Sequence, residues 1–265
     1  MVKTTGAAMS KSNGAYGRRG KLKFADKGVR DPASTFGKVR NLTYSIKGCG
    51  DLSVDRDAER LTSLMLTFDP RVRKFRTQPF MVDLIDQRIL RTADEVAEAR
   101  KKHSRRASPR FYTPDFSIEW KHTTRSALEV KLEGWEGNDT YQDRLRLGSS
   151  ILQAHGYSFA IAVLPENDDH PLWSTVPLMK KAASRSDLRP NDALVQRITE
   201  LCAQQPVLMK DLCSVLAISP NLVPTLLFYG CVAANLKEQC INGAMLLSAA
   251  YGDLSHLELL EKVTP

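Results

Sequence analysis

Residues Tyr112–Leu132 read YTPDFSIEWKHTTRSALEVKL. Within them Phe116, Ile118 and Trp120 alternate with Asp115, Ser117 and Glu119, the period of a strand with one apolar face. Lys121 to Arg125 is polar. Ala127 to Leu132 alternates again, with Leu128, Val130 and Leu132 on one side and Glu129 and Lys131 on the other. Two alternating runs around a short polar turn predict a β-hairpin. Residues two apart on a strand share a face, so Glu129 and Lys131 point the same way, and Asp115 begins the neighbouring strand on that side. Two carboxylates and an ammonium then converge. Carboxylate oxygens are the ligands Mg²⁺ prefers, with Mn²⁺ as a substitute. A bound metal polarises a phosphodiester and activates water, and an adjacent ammonium offsets transition-state charge. Pro114-Asp115, thirteen intervening residues and Glu129-Val130-Lys131 match the P-D…(D/E)-x-K pattern of metal-dependent nucleases. An exposed Glu-Val-Lys is ordinary by itself, so the surrounding elements must carry the reading.

Upstream, Ser53 is a candidate cap for a helix over Val54 to Thr67, with Leu61, Leu64, Met65 and Phe68 as its buried stripe. Glu59 lies off that stripe, in the helix where this nuclease architecture supplies a third carboxylate. Lys74 to Val82 reads as a strand. Asp83 to Arg110 is a charged excursion with helical composition over Thr92 to Lys102. Downstream, Asp139 to His155 reads as a helix closed by Gly156, and Tyr157 to Leu164 as a strand buried on both faces. The predicted order is α-β-β-β-α-β, an α/β restriction-endonuclease-like core over residues 51–165.

Residues 166–190 read as a linker with one short docked helix around Met179. Residues 191–265 read as a winged-helix-like α domain. Leu194, Val195, Ile198, Leu201 and Cys202 share one helix face, and Leu212, Val215 and Leu216 mark a second. Ser219-Pro220 opens a third helix that ends at Gly230. A hairpin follows over Val232 to Leu236 and Ile241 to Leu247. The third helix lacks the Arg and Lys with which a recognition helix meets DNA. Of its large apolar residues, Leu222 to Tyr229, some must close the small domain's own core, and the surplus reads as a docking patch for a protein partner.

The chain of 265 residues carries a net charge of +8, unevenly spread. Residues 1–50 hold eleven Lys/Arg against two acids, and Arg71 to Arg110 holds twelve against five. Such segregation suits a polyanionic partner, here double-stranded DNA, and the glycine-rich residues 1–50 read as a largely flexible basic arm. The composition provides a core, no apolar run spans a bilayer, and the polar start lacks a secretory leader, so the expected location is cytoplasmic. Five cysteines without a C-x-x-C pair argue against zinc or a disulfide framework. The five histidines are dispersed and read as surface or loop residues. Trp135 is a candidate wall of the site, and Arg144 and Arg146 are candidate phosphate contacts.

The stretch from Glu59-Arg60 through LTSLMLTFDPRVRKFRTQPF, then Tyr112-Thr113-Pro114-Asp115-Phe116 and Leu128-Glu129-Val130-Lys131, resembles TnsA, the endonuclease family of heteromeric cut-and-paste transposition systems. The resemblance runs from about Ser53 to the C-terminus. It implies Glu59, Asp115 and Glu129 as metal-binding carboxylates, the Val130 carbonyl as a further ligand, and Lys131 as the catalytic lysine. Gln78 matches a glutamine near the site. It further implies cleavage at the 5′ ends of a transposable element, a partner transposase acting at the 3′ ends, and a regulatory ATPase docking on the C-terminal domain. Leu61-Thr62 and the long excursion over 83–110 depart from the family. A stand-alone restriction-type or junction-resolving nuclease and a non-catalytic DNA-binding regulator remain the alternatives.

Overall fold

The computed structural model describes residues 41–260 except 49, 55 and 108. Most of the expected basic arm lies outside the described residues. Its last part does not: β1 (Asn41–Ser45) and β2 (Gly50–Val54) form an antiparallel hairpin. Helix α1 (Asp57–Phe68) therefore begins later than the Ser53 cap predicts, because Val54 is a buried strand residue. Asp57 and Glu59 sit in its first turn, where the helix dipole favours acids. Leu61, Leu64, Met65 and Phe68 are buried as the stripe predicts, and so are Ala58, Glu59 and Leu66. The helix is enclosed on more than one side.

The predicted strand over Lys74 to Val82 is two strands in different sheets, β3 (Val72–Thr77) and β4 (Met81–Asp83). Gln78 between them takes a left-handed φ of 43°, and Pro79 offers no N–H to continue a ladder. The excursion is a small folded module. β4 is flanked by β5 (Arg88–Leu90) and β6 (Phe111–Tyr112), both antiparallel to it. Helix α2 (Ala93–Lys102) covers a core of Met81, Leu90, Val96 and Ala99. Thr92 and Glu95 close a reciprocal capping box at its start.

The main sheet has the order β3-β7-β8-β9, with β7 (Phe116–Trp120), β8 (Arg125–Leu132) and β9 (Ser158–Leu164). The first two pairings are antiparallel and the last is parallel, reached by the crossover helix α3 (Asp139–Ala154). Along the chain α1, β3, β7, β8, α3 and β9 reproduce the α-β-β-β-α-β order, interrupted by the 83–110 module. β9 corrects one expectation. Its position at the edge leaves Ile161 and Val163 exposed, at 38% and 58%, so it is not buried on both faces.

The supposed linker contains the thirteen-residue helix α4 (Pro171–Ala183), which buries Leu172, Val176 and Met179. It packs against both α1 and α7. Beyond it lie α5 (Asp192–Cys202), β10 (Val207–Leu208), α6 (Met209–Leu216), α7 (Val223–Phe228), β11 (Val232–Ala233) and β12 (Leu246–Ala249). β12 lies between β10 and β11, so the predicted hairpin is shorter, shifted, and joined by a third strand. Val215 is 60% exposed; Leu212, Cys213 and Leu216 form the buried face of α6 instead.

Part of the apolar set over Leu222 to Tyr229 is consumed inside the chain, while Leu222, Phe228 and Tyr229 are half-buried. Val223, Leu226 and Leu227 are fully buried, and Phe228 meets Phe68 of α1 edge-on, ring centroids 6.3 Å apart. One apolar cluster runs from Leu52 through α1, the sheet and α4 to Leu260. The molecule is thus a mixed α/β protein with seven α-helices among the described residues. None of them alone is long and apolar enough to cross a membrane.

Candidate active site

β8 runs past the point where β7 pairs with it. The antiparallel register ends at Phe116 opposite Leu128, whereas β8 continues to Leu132 beside β9. Glu129 to Leu132 therefore lack a β7 partner on that edge. Asp115, just before β7, closes the gap: its Oδ2 accepts the Val130 N–H at 2.8 Å. The Asp115 carbonyl accepts the N–H of Gln78 at 2.8 Å. Gln78 is 4% exposed, and its Oε1 has no hydrogen-bond partner. Its left-handed backbone is costly for a non-glycine residue. The glutamine assigned near the site by resemblance does lie there.

Glu129 is buried and saturated. Oε2 accepts from the Tyr112 hydroxyl at 2.7 Å. Oε1 accepts from Lys131 Nζ at 2.7 Å and also from the Tyr141 hydroxyl. Lys131 is not the exposed side chain that alternation predicts; it is 13% exposed. Its ammonium lies 4.4 Å from the Trp135 ring centroid and 4.7 Å from that of Tyr141, within cation–π range. Trp135 and Tyr141 pack edge to face at 4.6 Å. Trp135 does wall the site. The tight turn depends on glycine: Gly137 has a φ of 73°, and a Cβ there would stand 2.6 Å from the Trp135 ring. Arg144 lies over Tyr141, whereas Arg146 is exposed beside Asp143.

Electrostatics bring in Glu59. Burial pushes the Asp115 carboxyl well above the usual carboxylate range, and the charges of Glu129 and Glu59 add to the push. The Val130 N–H and Lys131 oppose this without cancelling it. The same burial, with Glu129 beside them, raises the Tyr112 and Tyr141 phenols, so both remain protonated donors. Clustered carboxylates, hard oxygen donors and the Gln78 Oε1, which has no hydrogen-bond partner among the described residues, match what an oxygen-seeking divalent cation requires.

Among the described residues, the group of His and carboxylate ligand atoms that lie within 4.8 Å of one another is not Glu59, Asp115 and Glu129 but a different trio. Asp83, Asp86 and His103 have ligand atoms all within 4.8 Å of one another. His103 is buried, which corrects its reading as a surface or loop residue. Its Nε2 lies 3.1 Å from Asp83 Oδ2 and 3.4 Å from Asp86 Oδ2. Lys102 Nζ approaches Asp86 Oδ2 to 2.6 Å, and Arg88 stands 3.8 Å from Asp83. Cations already crowd these carboxylates, so the trio is built as an ion-pair knot tying the end of α2 to β4.

Sequence reasoning missed the roles of Tyr112 and Tyr141. Tyr112 belongs to β6 of the small sheet, and Tyr141 to the first turn of α3, which the Asn138 side chain caps. Their meeting at Glu129 is a product of tertiary structure. One signal was present: Gly148 interrupts the apolar pattern of α3, and a Cβ there would lie 2.5 Å from the Tyr112 ring. Cys202, Cys213 and Cys231 are buried, Cys240 is half-buried, and Cys49 lies outside the described residues. Compared with known proteins, the sequence matches no family model and no curated protein.

Proposed function

We propose that the chain is a Mg²⁺-dependent DNA endonuclease of the P-D…(D/E)-x-K type. Asp115, Glu129 and Glu59 would hold the metal, with the Val130 carbonyl as a further ligand, and Lys131 is the catalytic lysine. The observation that carries this reading is the crowding of Asp115 by two other carboxylates at the unpaired end of β8, next to a half-buried lysine. A structural ion pair would need one carboxylate, not three.

When bound, the metal supplies Lewis-acid activation of water and neutralises charge on the phosphodiester. The protein's own groups have separate tasks. Asp115 would have to be ionised to hold the metal, and the burial and neighbouring carboxylates that raise its carboxyl oppose this. Tyr112 fixes the orientation of Glu129 through Oε2. Lys131 holds a positive charge where the phosphate would develop negative charge. Trp135 and Tyr141 cover the lysine's flank and exclude water from it.

The finer assignment is a subunit of a TnsA-type transposase that cuts the 5′ ends of its element. It rests on the resemblance over Glu59–Phe80, Tyr112–Phe116 and Leu128–Lys131. The partners are then double-stranded transposon ends, a second transposase subunit, and a regulatory ATPase on the C-terminal domain. That contact needs a face other than α7, which is buried. The C-terminal order α5-β10-α6-α7-β11-β12 suits a winged helix, and the burial of α7 argues against its use as a base-reading helix.

The test is cleavage of supercoiled and end-bearing duplex DNA with Mg²⁺ or Mn²⁺, with and without candidate partner subunits. Metal-dependent cutting abolished by Asp115→Ala and Glu129→Ala is expected. Cutting that survives in both variants, or no cutting under any of these conditions, would sink the nuclease reading. Efficient cutting by the chain alone would favour the stand-alone enzyme over the transposase subunit.

A further inference from the structure

The 83–110 module is unexplained by the chemistry above, and its charge is strongly sorted. The acids of α2, Asp94, Glu95 and Glu98, lie in its first six residues, and residues 100–110 contain six Lys/Arg and no acid. Two of the six have structural partners. Lys102 pairs with Asp86, and Arg110 Nη1 donates to the carbonyls of His103 and Ser104 at 2.8 and 3.3 Å. The other four, Arg100, Lys101, Arg105 and Arg106, are exposed and have no ion pair among the described residues. Cations at 100 and 101 would complement the end of the helix dipole. Arg105 and Arg106 lie beyond the helix, where that explanation does not reach.

The turn that presents them is fastened from beneath. His103 reaches between Asp83 and Asp86, Arg110 holds the carbonyls at 103 and 104, and the Arg106 N–H donates to the His103 carbonyl at 3.0 Å. A partly buried knot beside four surface cations without an ion pair among the described residues holds together like charges that would otherwise separate. The same module carries β6, whose Tyr112 donates to Glu129. The basic turn is therefore tied to the active strand through packed structure.

We infer that Arg100, Lys101, Arg105 and Arg106 form a phosphate-binding surface that seats the backbone of duplex DNA beside the Glu129 site. This rests on the nuclease reading for its substrate. The surface chemistry selects the partner. The module has no exposed large apolar side chain, which a membrane surface would engage. Nor does it expose the aromatic platforms that single strands stack on. Three of the four are arginines, whose fork matches phosphate oxygens. The Asp83–Asp86–His103 trio, with Asp83 and His103 buried, is then the foundation of this surface.

The test uses the full chain and its R100Q/K101Q/R105Q/R106Q variant, with binding of a fluorescein-labelled mixed-sequence duplex followed against salt in EDTA. Each phosphate contact contributes about −0.9 to the log–log salt slope. The variant should bind at least about tenfold more weakly, with a slope flatter by roughly 2–4, and keep its melting temperature. An unchanged slope overturns the surface, as does a native chain that binds phosphatidylserine vesicles but not the duplex. Mg²⁺-dependent plasmid nicking by the same preparations separates the two readings. Native nicking with an unchanged variant slope refutes only the surface. A flattened slope with no nicking by either protein, with or without the candidate partner subunits, refutes only the nuclease.

Discussion

The hydroxyl of Tyr112 donates to Oε2 of Glu129 at 2.7 Å, and this one bond joins two sheets that share no strand. It sets the orientation of a site carboxylate from outside the strand that carries it. Tyr112→Phe should cost about 1–3 kcal/mol by leaving a buried oxygen without its donor. It should also weaken Mn²⁺ binding by roughly 10–100-fold, as loss of a ligand-orienting bond does. Calorimetric Mn²⁺ titration checks this, and unchanged affinity would reduce Tyr112 to a packing residue.

Gly148 makes room for that ring. Alanine there gains about 1 kcal/mol of helix propensity but forces its Cβ to within 2.5 Å of Tyr112. Net destabilisation of roughly 1–2 kcal/mol is expected. Removing the ring should relieve it, so Gly148→Ala and Tyr112→Leu should be strongly non-additive in a denaturation cycle. Additive losses would show that the contact is not what constrains position 148.

Asp115 imposes a pH dependence. Its folded carboxyl titrates well above the ordinary carboxylate value of 3.8, so between the two the folded state holds the proton more tightly than the unfolded state. Stability from this group is full below the unfolded value and falls as pH rises through the folded one. Asp115→Asn can still accept from the Val130 N–H but carries no charge. At neutral pH it should raise Tm by about 2–4 °C or more, equivalent to roughly 1 kcal/mol, and abolish cleavage. A lower Tm at neutral pH would contradict the crowding of charge at this residue.

Lys131 shows how far strand alternation carries a reading. The period of two correctly placed Asp115, Glu129 and Lys131 together, because it is a property of the backbone. It could not reveal that Tyr112, Trp135 and Tyr141 would cover that face, so Glu129 is buried and Lys131 half-buried where exposure was expected. Similarly, YSFAIAVL is apolar enough for a central strand, yet the sheet ends there. Tyr112 and Tyr141 escaped notice because their partners are remote in sequence. Lys131→Ala therefore removes the partner of a buried carboxylate. It should destabilise the metal-free protein by about 1–3 kcal/mol, as well as abolish cleavage. Thermal melts with and without Ca²⁺ test this, and a Tm loss that Ca²⁺ partly restores is expected. Full cleavage activity would remove Lys131 from the chemistry.

The shared core makes a further claim about unfolding. With Phe68 and Phe228 in contact and α4 packed on both α1 and α7, the two halves should melt as one cooperative unit. Phe228→Ala should lower a single calorimetric transition, by roughly 2–4 kcal/mol. Two separate transitions, only the upper or lower of which moves, would restore the picture of independent domains joined by a linker.

The parallel pairing of β8 with β9 bears on how the molecule is made. Residues 133–157 must loop out and return before Ser126–Leu132 acquires its second neighbour, and closing a long loop carries an entropy cost that precedes any reward. During synthesis the strand bearing Glu129 thus emerges from the ribosome well before the segment that completes its sheet. Until Leu164 has been added, its apolar edge stays open to wrong partners. Growing chains halted short of that residue should be the ones that recruit chaperones.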